Sequence, residues 1–163
     1  MENVCAARNL PLMDLKQGTE LDFGDVHMEV LWPAPAMATT NIGTGKINDN
    51  SMVFRLDYGE HSALFAGDIY TLAEGQILDQ VDNAKLDVDF LKIPHHGWNT
   101  SSSAEFVKAV SAKLAVATSY LEMEEQIRRN YVSAKTEVLL DVYNGYIHVS
   151  ADAEGNMDYE TSR

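Results

Sequence analysis

The chain has 163 residues, of which 45% are hydrophobic, and its formal net charge is −13. These values predict one globular domain covering residues 1–163, and the charge opposes unaided binding to a nucleic-acid backbone. A single cysteine, Cys5, excludes a scaffold held by internal disulfides. No apolar run approaches the roughly 20 residues that span a bilayer. The opening residues 1–4 lack the features of a signal peptide, so we expect a soluble chain, cytoplasmic rather than secreted.

The first half of the chain contains three predicted strands. Residues 26–30 alternate apolar and polar side chains with a period of two, which indicates a strand with one buried face. Residues 51–58 and 61–66 are two further strands, and the two residues between them are typical of a tight hairpin, so they should pair antiparallel. A long surface loop is predicted over residues 33–50, which are rich in proline and glycine.

The second half alternates predicted helices and strands. Thr71 and Glu74 form a capping-box pattern that predicts a helix start near residue 71, and residues 102–105 form a second one. Residues 88–93 are predicted to form a strand. Residues 114–119 are continuously small and apolar, as expected of a strand covered on both faces.

The C-terminal part completes the predicted architecture. A helix is predicted from Thr136 to Tyr143, followed by a closing hairpin of residues 146–150 and 156–160. Strands followed by helices and strands again predict a mixed α/β sheet.

Two short motifs place metal-type ligands directly after predicted strands. Asp68 follows one strand, and the adjacent His95 and His96 follow another, at the end of the sheet where open α/β folds hold their sites. A carboxylate can bridge two cations and imidazole is a common metal ligand, and a hydrolytic metal site needs both with an open position for water. The alternative for Asp68 is a turn residue. The other histidines, His27, His61 and His148, are expected to be solvated or satisfied strand residues.

The order of several motifs resembles the second half of a metallo-β-lactamase-fold domain, specifically the competence-type (ComEC-like, DNA-internalisation-related) hydrolases. The motifs are Val30-Leu31-Trp32-Pro33, Asn48-Asp49-Asn50-Ser51-Met52-Val53, Gly67-Asp68, Leu91-Lys92-Ile93-Pro94-His95-His96-Gly97 and Ser101-Ser102-Ser103. The resemblance covers roughly residues 20–120 and implies an α/β fold that is the C-terminal half of an αββα sandwich.

The same resemblance implies a role for each candidate ligand. Asp68 corresponds to the residue that bridges two metal ions, and His96 to the histidine that completes the second ion's ligands. His95 is then the alternative ligand or a support for His96. The implied cofactor is Zn or Mn, dinuclear in a complete enzyme that hydrolyses phosphodiester or related ester bonds. A nucleic-acid partner is implied by this resemblance alone.

The departures from the family pattern lead to two hypotheses. The H-x-H-x-D-H motif of the first half is absent, and residues 130–134 stand where competence-type relatives carry a Tyr-Gly-His-Pro-like element. The first hypothesis is the C-terminal portion of a hydrolase that needs the missing N-terminal half-domain, with weak or no metal affinity and negligible turnover alone. The second is a non-catalytic binding or scaffold module that self-associates as a homodimer or pairs with a partner.

Overall fold

The fold is built on a seven-stranded sheet whose strands follow the order of the chain. The computed structural model describes residues 2–35, 47–119 and 121–163. The strands are β1 (Glu20–Phe23), β2 (Val26–Trp32), β3 (Val53–Tyr58), β4 (His61–Phe65), β5 (Phe90–Lys92), β6 (Leu114–Ala117) and β7 (Glu137–Leu140). The pairs from β1 to β4 are antiparallel, and those from β4 to β7 are parallel. The predicted α/β class is therefore confirmed.

Six α-helices, two short 3-10 helices (Asn48–Asn50 and Pro94–Gly97) and a separate hairpin complete the described secondary structure. The helices are α1 (Glu2–Ala7), α2 (Thr71–Gln80), α3 (Asn83–Leu86), α4 (Ala104–Val110), α5 (Glu125–Ala134) and α6 (Asp141–Asn144). The hairpin consists of β8 (Ile147–Ala151) and β9 (Met157–Thr161), which pair antiparallel. Among the helices of these residues, none combines the length and apolar character that crossing a membrane requires.

The two faces of the large sheet are covered differently. One face packs against the helices and forms the main core, which includes Leu64, Leu91, Ala115, Ile77 and Phe106. The opposite face, which we call the hairpin face, carries the smaller cluster of Leu114, Val116 and Leu139 with Phe90, Ile147, Val149, Met157 and Tyr159 packed against it. The β8–β9 hairpin therefore acts as a partial second layer.

The hairpins predicted from the sequence are confirmed. Phe54 lies opposite Phe65 in the β3–β4 pair, and Val149 lies opposite Tyr159 in the closing pair. Residues 114–117 form the expected strand buried on both faces. Most of the loop predicted over 33–50 falls on residues 36–46, which lie outside the described residues.

The helix predicted from Thr136 to Tyr143 is wrong. Residues 137–140 form β7, which pairs parallel with β6, and only Asp141–Asn144 is helical. The buried β6 needs a neighbour to satisfy its backbone groups, and the apolar Val138 and Leu140 pack on the main core from that position. Tertiary pairing has overridden the local pattern.

The capping boxes are only partly correct. α2 begins at Thr71 as predicted, but no side chain of its own segment caps it. The buried Asp49 instead accepts hydrogen bonds from the amides of Tyr70 (3.0 Å) and Ala73 (3.3 Å). At α4 the cap is Ser103 rather than Ser102, because the Ser103 hydroxyl accepts from the Phe106 amide at 3.3 Å.

Candidate metal centre

The parallel pairing of β4 and β5 brings the two predicted motifs to one edge of the sheet. Phe65 and Lys92 lie opposite each other at the carboxyl ends of these strands. Asp68 follows β4, and a tight turn of Pro94–Gly97 follows β5. The amide of His95 donates to the carbonyl of Gly67 at 3.0 Å, so the backbones of the motifs are joined directly.

Asp68 and His96 form the central pair of this edge. The Asp68 Oδ1 and His96 Nε2 atoms are 3.7 Å apart, and the side chains are 46% and 47% exposed. The Nδ1 of His96 lies 2.6 Å from the carbonyl oxygen of Thr118. Because a carbonyl only accepts, Nδ1 donates in this contact, and Nε2 is the ring nitrogen that faces Asp68. Metal-binding histidines are held in this way, with the second ring nitrogen donating to a carbonyl or carboxylate.

His95 has a different environment. Its Nδ1 lies 2.7 Å from the Thr100 hydroxyl, and its ring meets the Tyr70 ring edge-on with centroids 4.8 Å apart. Burial lowers the pKa of His95, and His96 lowers it further, while the carboxylate of Asp68 acts in the opposite direction. The ring is therefore a neutral packing partner at neutral pH, and the geometry favours His96 over His95 as the ligand beside Asp68.

The turn that carries both histidines has an unusual backbone. His95 and His96 have φ of 43° and 59°, and Gly97 follows with φ of 81°. A non-glycine residue in this region costs on the order of 1–3 kcal/mol, and such strain concentrates at functional sites. The turn is braced by the Trp98 amide, which donates to the His95 carbonyl at 3.0 Å, and by the Ser101 hydroxyl, which donates to the Pro94 carbonyl at 3.1 Å.

The fully buried Glu74 fixes the segment that follows this turn. Its carboxylate accepts hydrogen bonds from the amides of Ser102 and Ser103, the latter at 2.8 Å. Burial raises the pKa of Glu74, against the effect of these hydrogen bonds. The sequence predicts Glu74 as part of a capping box within its own helix. Its carboxylate instead connects α2 to the start of α4.

Three residues near the centre were not identified from the sequence. Thr118 follows β6, and its backbone carbonyl and side-chain hydroxyl lie 2.6 Å and 3.3 Å from the Nδ1 of His96. Lys92 ends β5; burial lowers its pKa, while the carboxylates of Asp68 and Asp141 raise it. Asp141 follows β7 and accepts from the Ser119 amide at 2.7 Å. The strand-end argument that identified Asp68 would also have identified Asp141 had β7 been recognised.

Asp68 and His96 fit part of a metal-binding set. Their donor atoms are a carboxylate oxygen and an oriented imidazole nitrogen, both suited to zinc or manganese. Within residues 2–35, 47–119 and 121–163, however, no group of three or more His, Cys, Asp or Glu side chains is placed to hold a metal. A zinc site takes three or four protein ligands, so the described residues at this edge do not form one by themselves.

Sequence comparisons agree with the competence-type character of the motifs. The chain is 31% identical over 104 residues to ComE operon protein 3 of Bacillus subtilis and 39% identical over 72 residues to Competence protein ComA of Neisseria gonorrhoeae. The matches support a competence-related family. The chain is also 38% identical over 73 residues to the uncharacterized protein YcaI of Escherichia coli. No family model matches the chain.

The chain corresponds to a small part of each of these relatives. The matched segments cover 63%, 44% and 45% of this chain but only 12%, 10% and 10% of ComE operon protein 3, Competence protein ComA and YcaI, respectively. The matched segments therefore span about a tenth of the length of each of these relatives.

Proposed function

We propose that this chain contributes part of the metal centre of a hydrolase with the metallo-β-lactamase fold. Asp68 and His96 are the proposed metal ligands, and His95 supports His96 or replaces it. The metal, zinc or manganese, activates water and stabilises negative charge when bound at sites of this kind. The proposed substrates are phosphodiester or related ester bonds, and the names of the competence relatives favour a role of the complete protein in DNA uptake.

The observation that carries the proposal is the Asp68–His96 pair. The Asp68 Oδ1 and His96 Nε2 atoms are 3.7 Å apart, and the carbonyl of Thr118 orients the imidazole so that Nε2 lies beside the carboxylate. A turn residue and a surface histidine would require neither the left-handed backbone at His96 nor this alignment.

The remaining ligands must come from outside this set, so the proposal treats the centre as one half of a site. The proposed source is an N-terminal half-domain that packs on the hairpin face and completes the αββα sandwich. We therefore expect weak metal binding and negligible turnover by this chain alone, because water must replace each missing ligand.

The test is titration of the purified chain with Zn²⁺ and Mn²⁺ by calorimetry, followed by assay of bis(p-nitrophenyl) phosphate hydrolysis on the same samples. Weak binding that is lost in both Asp68→Ala and His96→Ala, without turnover, supports the proposal. The matched control is His148→Ala, which removes an exposed histidine on β8. Binding that survives both substitutions overturns the assignment of ligands, and tight binding with turnover overturns the assignment to half a site.

A binding or scaffold module is the second candidate, and the hairpin face favours it. Phe54 and Phe65 stack on this face with centroids 4.9 Å apart, and Phe90 lies 6.0 Å from Phe65. Apolar sheet faces of this kind mark interaction surfaces. A homodimer would cover the face, and sedimentation velocity over a range of concentrations tests it. A dimer that keeps its stability in Asp68→Ala supports the module, and a monomer at every concentration excludes self-association.

A further inference from the structure

A cavity lies between the large sheet and the β8–β9 hairpin. Its volume is about 410 Å³, which falls within the range of about 300–1,000 Å³ typical of pockets that take whole small molecules. Its floor is the hairpin face of β3, β4 and β5, with Tyr58, Phe65 and Phe90 among the lining residues. Its roof is the hairpin, which contributes Val149 and Met157. Both walls belong to this chain.

The roof of this cavity is held to the sheet at two separated points. A Cβ atom built on Gly59, between β3 and β4, would lie 3.2 Å from the Cα of Ala153, so the turn of the hairpin contacts the turn of the sheet. On the other side, the Tyr159 hydroxyl donates to the Glu137 carboxylate at 2.6 Å. The hairpin is therefore fastened across the sheet, and the space beneath it is part of the fold.

The floor of the cavity is predominantly aromatic. Phe65 and Phe90 lie on neighbouring strands with ring centroids 6.0 Å apart and planes inclined by 52°. Tyr58 adds a third ring from β3. Aromatic side chains pack against planar rings in offset or edge-on arrangements with centroids about 4.5–7 Å apart. This floor therefore suits a flat aromatic molecule.

His61 supplies a polar group in the wall of the cavity. Its side chain is 12% exposed, and its Nε2 is buried without a hydrogen-bond partner among the described residues. Its Nδ1 lies 3.9 Å from the carboxylate of Asp89, beyond hydrogen-bond distance. Asp89 is instead engaged by the Ser62 amide at 3.0 Å and the Lys113 ammonium at 2.7 Å. The sequence predicts a solvated or satisfied His61, and the structure leaves one of its nitrogens unpaired.

We propose that this cavity binds a neutral aromatic alcohol. The ring lies on the aromatic floor, and the hydroxyl pairs with the Nε2 of His61. A hydroxyl both donates and accepts, so it matches either protonation state of that nitrogen. Because Nε2 is buried, the imidazole turns toward the cavity as the hydroxyl binds. A buried polar group is normally paired, and this ligand supplies the partner that the described residues do not.

Two observations exclude a charged ligand. The lining is largely apolar, and an unpaired charge is costly to bury there. The net charge of −13 also repels anions as they approach the chain. The inference does not rest on the proposed function, since neither Asp68 nor His96 lines the cavity.

The first experiment titrates naphthol, a two-ring aromatic alcohol, into the chain while NMR follows the histidine imidazole signals. Saturable shifts of the His61 signals are expected, with a dissociation constant on the order of 0.1 mM. His148, which is exposed on β8 and does not line the cavity, is the internal control and should not shift. Absence of binding, or binding that leaves the His61 signals unchanged, overturns the proposal.

Two analogues test the chemistry of the ligand. Naphthoate carries a carboxylate in place of the hydroxyl and should bind about tenfold more weakly. Naphthalene has no polar group and should bind several-fold more weakly than naphthol. In His61→Phe the preference for naphthol over naphthalene should disappear. A preference that survives in His61→Phe, or naphthoate binding as tight as that of naphthol, overturns the proposal.

Filling the cavity locates the binding. Ala63 lies on the floor, and Ala63→Leu should weaken naphthol binding by about tenfold or more, because the added carbons occupy the space of the ring. Ala104→Leu, at an exposed alanine of α4, is the matched control and should bind normally. Ala63→Val adds less volume and a side chain that suits a strand, so it replaces Ala63→Leu if that variant does not fold. Unchanged binding in a folded variant at Ala63 overturns the proposal.

Two further results separate this inference from the other roles considered for the chain. Asp68→Ala should bind naphthol normally, whatever its metal titration shows, and loss of naphthol binding in this variant overturns the assignment to the cavity. Sedimentation velocity with and without naphthol tests whether a second copy occupies the hairpin face. A dimer that admits no naphthol would assign the face to that copy and overturn the proposal.

Discussion

At the scale of single residues, Gly67 sets the position of the candidate ligand Asp68. Its φ is +55°, and a Cβ atom built there would lie 2.8 Å from the Cβ of Ser51 and 3.1 Å from the carbonyl oxygen of Met52. The chain therefore turns from β4 into Asp68 at a point where only glycine fits. The backbone at Gly67, and not the carboxylate of Asp68, is therefore the part of this segment whose conformation is most restricted.

Gly67→Ala is predicted to destabilise the fold by about 2 kcal/mol or more, because it combines a left-handed backbone with a steric clash. Gly75→Ala is the matched control. Gly75 lies in α2 with no atom within 4 Å of an added Cβ, so this change should raise stability by about 0.5–1 kcal/mol. Urea unfolding of both variants measures the two effects, and equal stability of the pair would contradict this account of the turn.

Glu74 provides a prediction of pH dependence. Burial raises the pKa of this carboxyl above its ordinary value of 4.5, so the folded state binds its proton more tightly than the unfolded state does. The contribution of Glu74 to stability is therefore fully present below about pH 4.5 and is progressively lost as the pH rises through the folded pKa. Subtracting the unfolding profile of Glu74→Gln from that of the wild type isolates this dependence.

The same Glu74→Gln variant should be less stable overall at acidic pH. One oxygen of the carboxyl is replaced by an NH₂ group, which cannot accept from the backbone amide of Ser102 or Ser103. An unsatisfied buried amide costs about 1–3 kcal/mol, and denaturant unfolding near pH 5 measures it. A variant as stable as the wild type there would show that these amides find other acceptors.

The ligand candidates could be predicted from the sequence because the argument for them is local. Asp68 and the adjacent His95 and His96 each follow an apolar strand pattern, and parallel pairing then brings strand ends together. The preference for His96 over His95 came from the family resemblance and not from this local argument. The partner of His96 could not be predicted, because Thr118 lies 22 positions away in the sequence. Whether Asp68 and His96 bind metal stays a prediction.

At the scale of elements, α2 is held by a residue distant in sequence. Asp49 accepts from two amides at the start of this helix, so it satisfies donors that the helix leaves unpaired and places negative charge at the positive end of the helix dipole. Strand patterns with a period of two and tight hairpins depend on neighbouring residues and were predicted correctly. The cap of α2 and the pairing of β7 depend on distant residues and were not.

Asp49→Ala is predicted to lower the free energy of unfolding by about 1–2 kcal/mol, since both amides lose their acceptor. Asp49→Asn is the matched control, because its amide oxygen still accepts, and it should lose less than half as much. Chemical denaturation monitored by circular dichroism compares them. Equal losses in the two variants would assign the role of Asp49 to charge and not to capping.

At the scale of the whole molecule, the large sheet has a complete layer on one face and a partial layer on the other. The helices bury the main core, while the two-stranded β8–β9 hairpin covers only the part of the hairpin face around Val116. A two-stranded sheet is marginal by itself and leaves backbone groups unpaired along its edges. The proposed sandwich partner would extend this second layer, an arrangement that the sequence of this chain alone cannot specify.

Val149→Ser is predicted to loosen the hairpin and expose the hairpin face. Val149 packs against the Leu114, Val116 and Leu139 cluster, and its loss should cost about 1–2 kcal/mol and increase binding of an apolar dye. His148→Ser, which changes the exposed neighbour, should alter neither stability nor dye binding. Similar behaviour of the two variants would argue against the hairpin as a covering layer.

The pairing of Asp68 with His96 as metal ligands is the central claim, and paramagnetic broadening by Mn²⁺ tests it most directly. The chain has five histidines, so their imidazole signals report where the ion binds. The account predicts that substoichiometric Mn²⁺ broadens His96 first and His95 next, while His27, His61 and His148 stay sharp, and that Asp68→Ala abolishes this order. Two results would contradict the claim. One is broadening that begins at His27, whose Nδ1 lies 2.7 Å from the Oδ1 of Asp22, and the other is broadening that survives in Asp68→Ala.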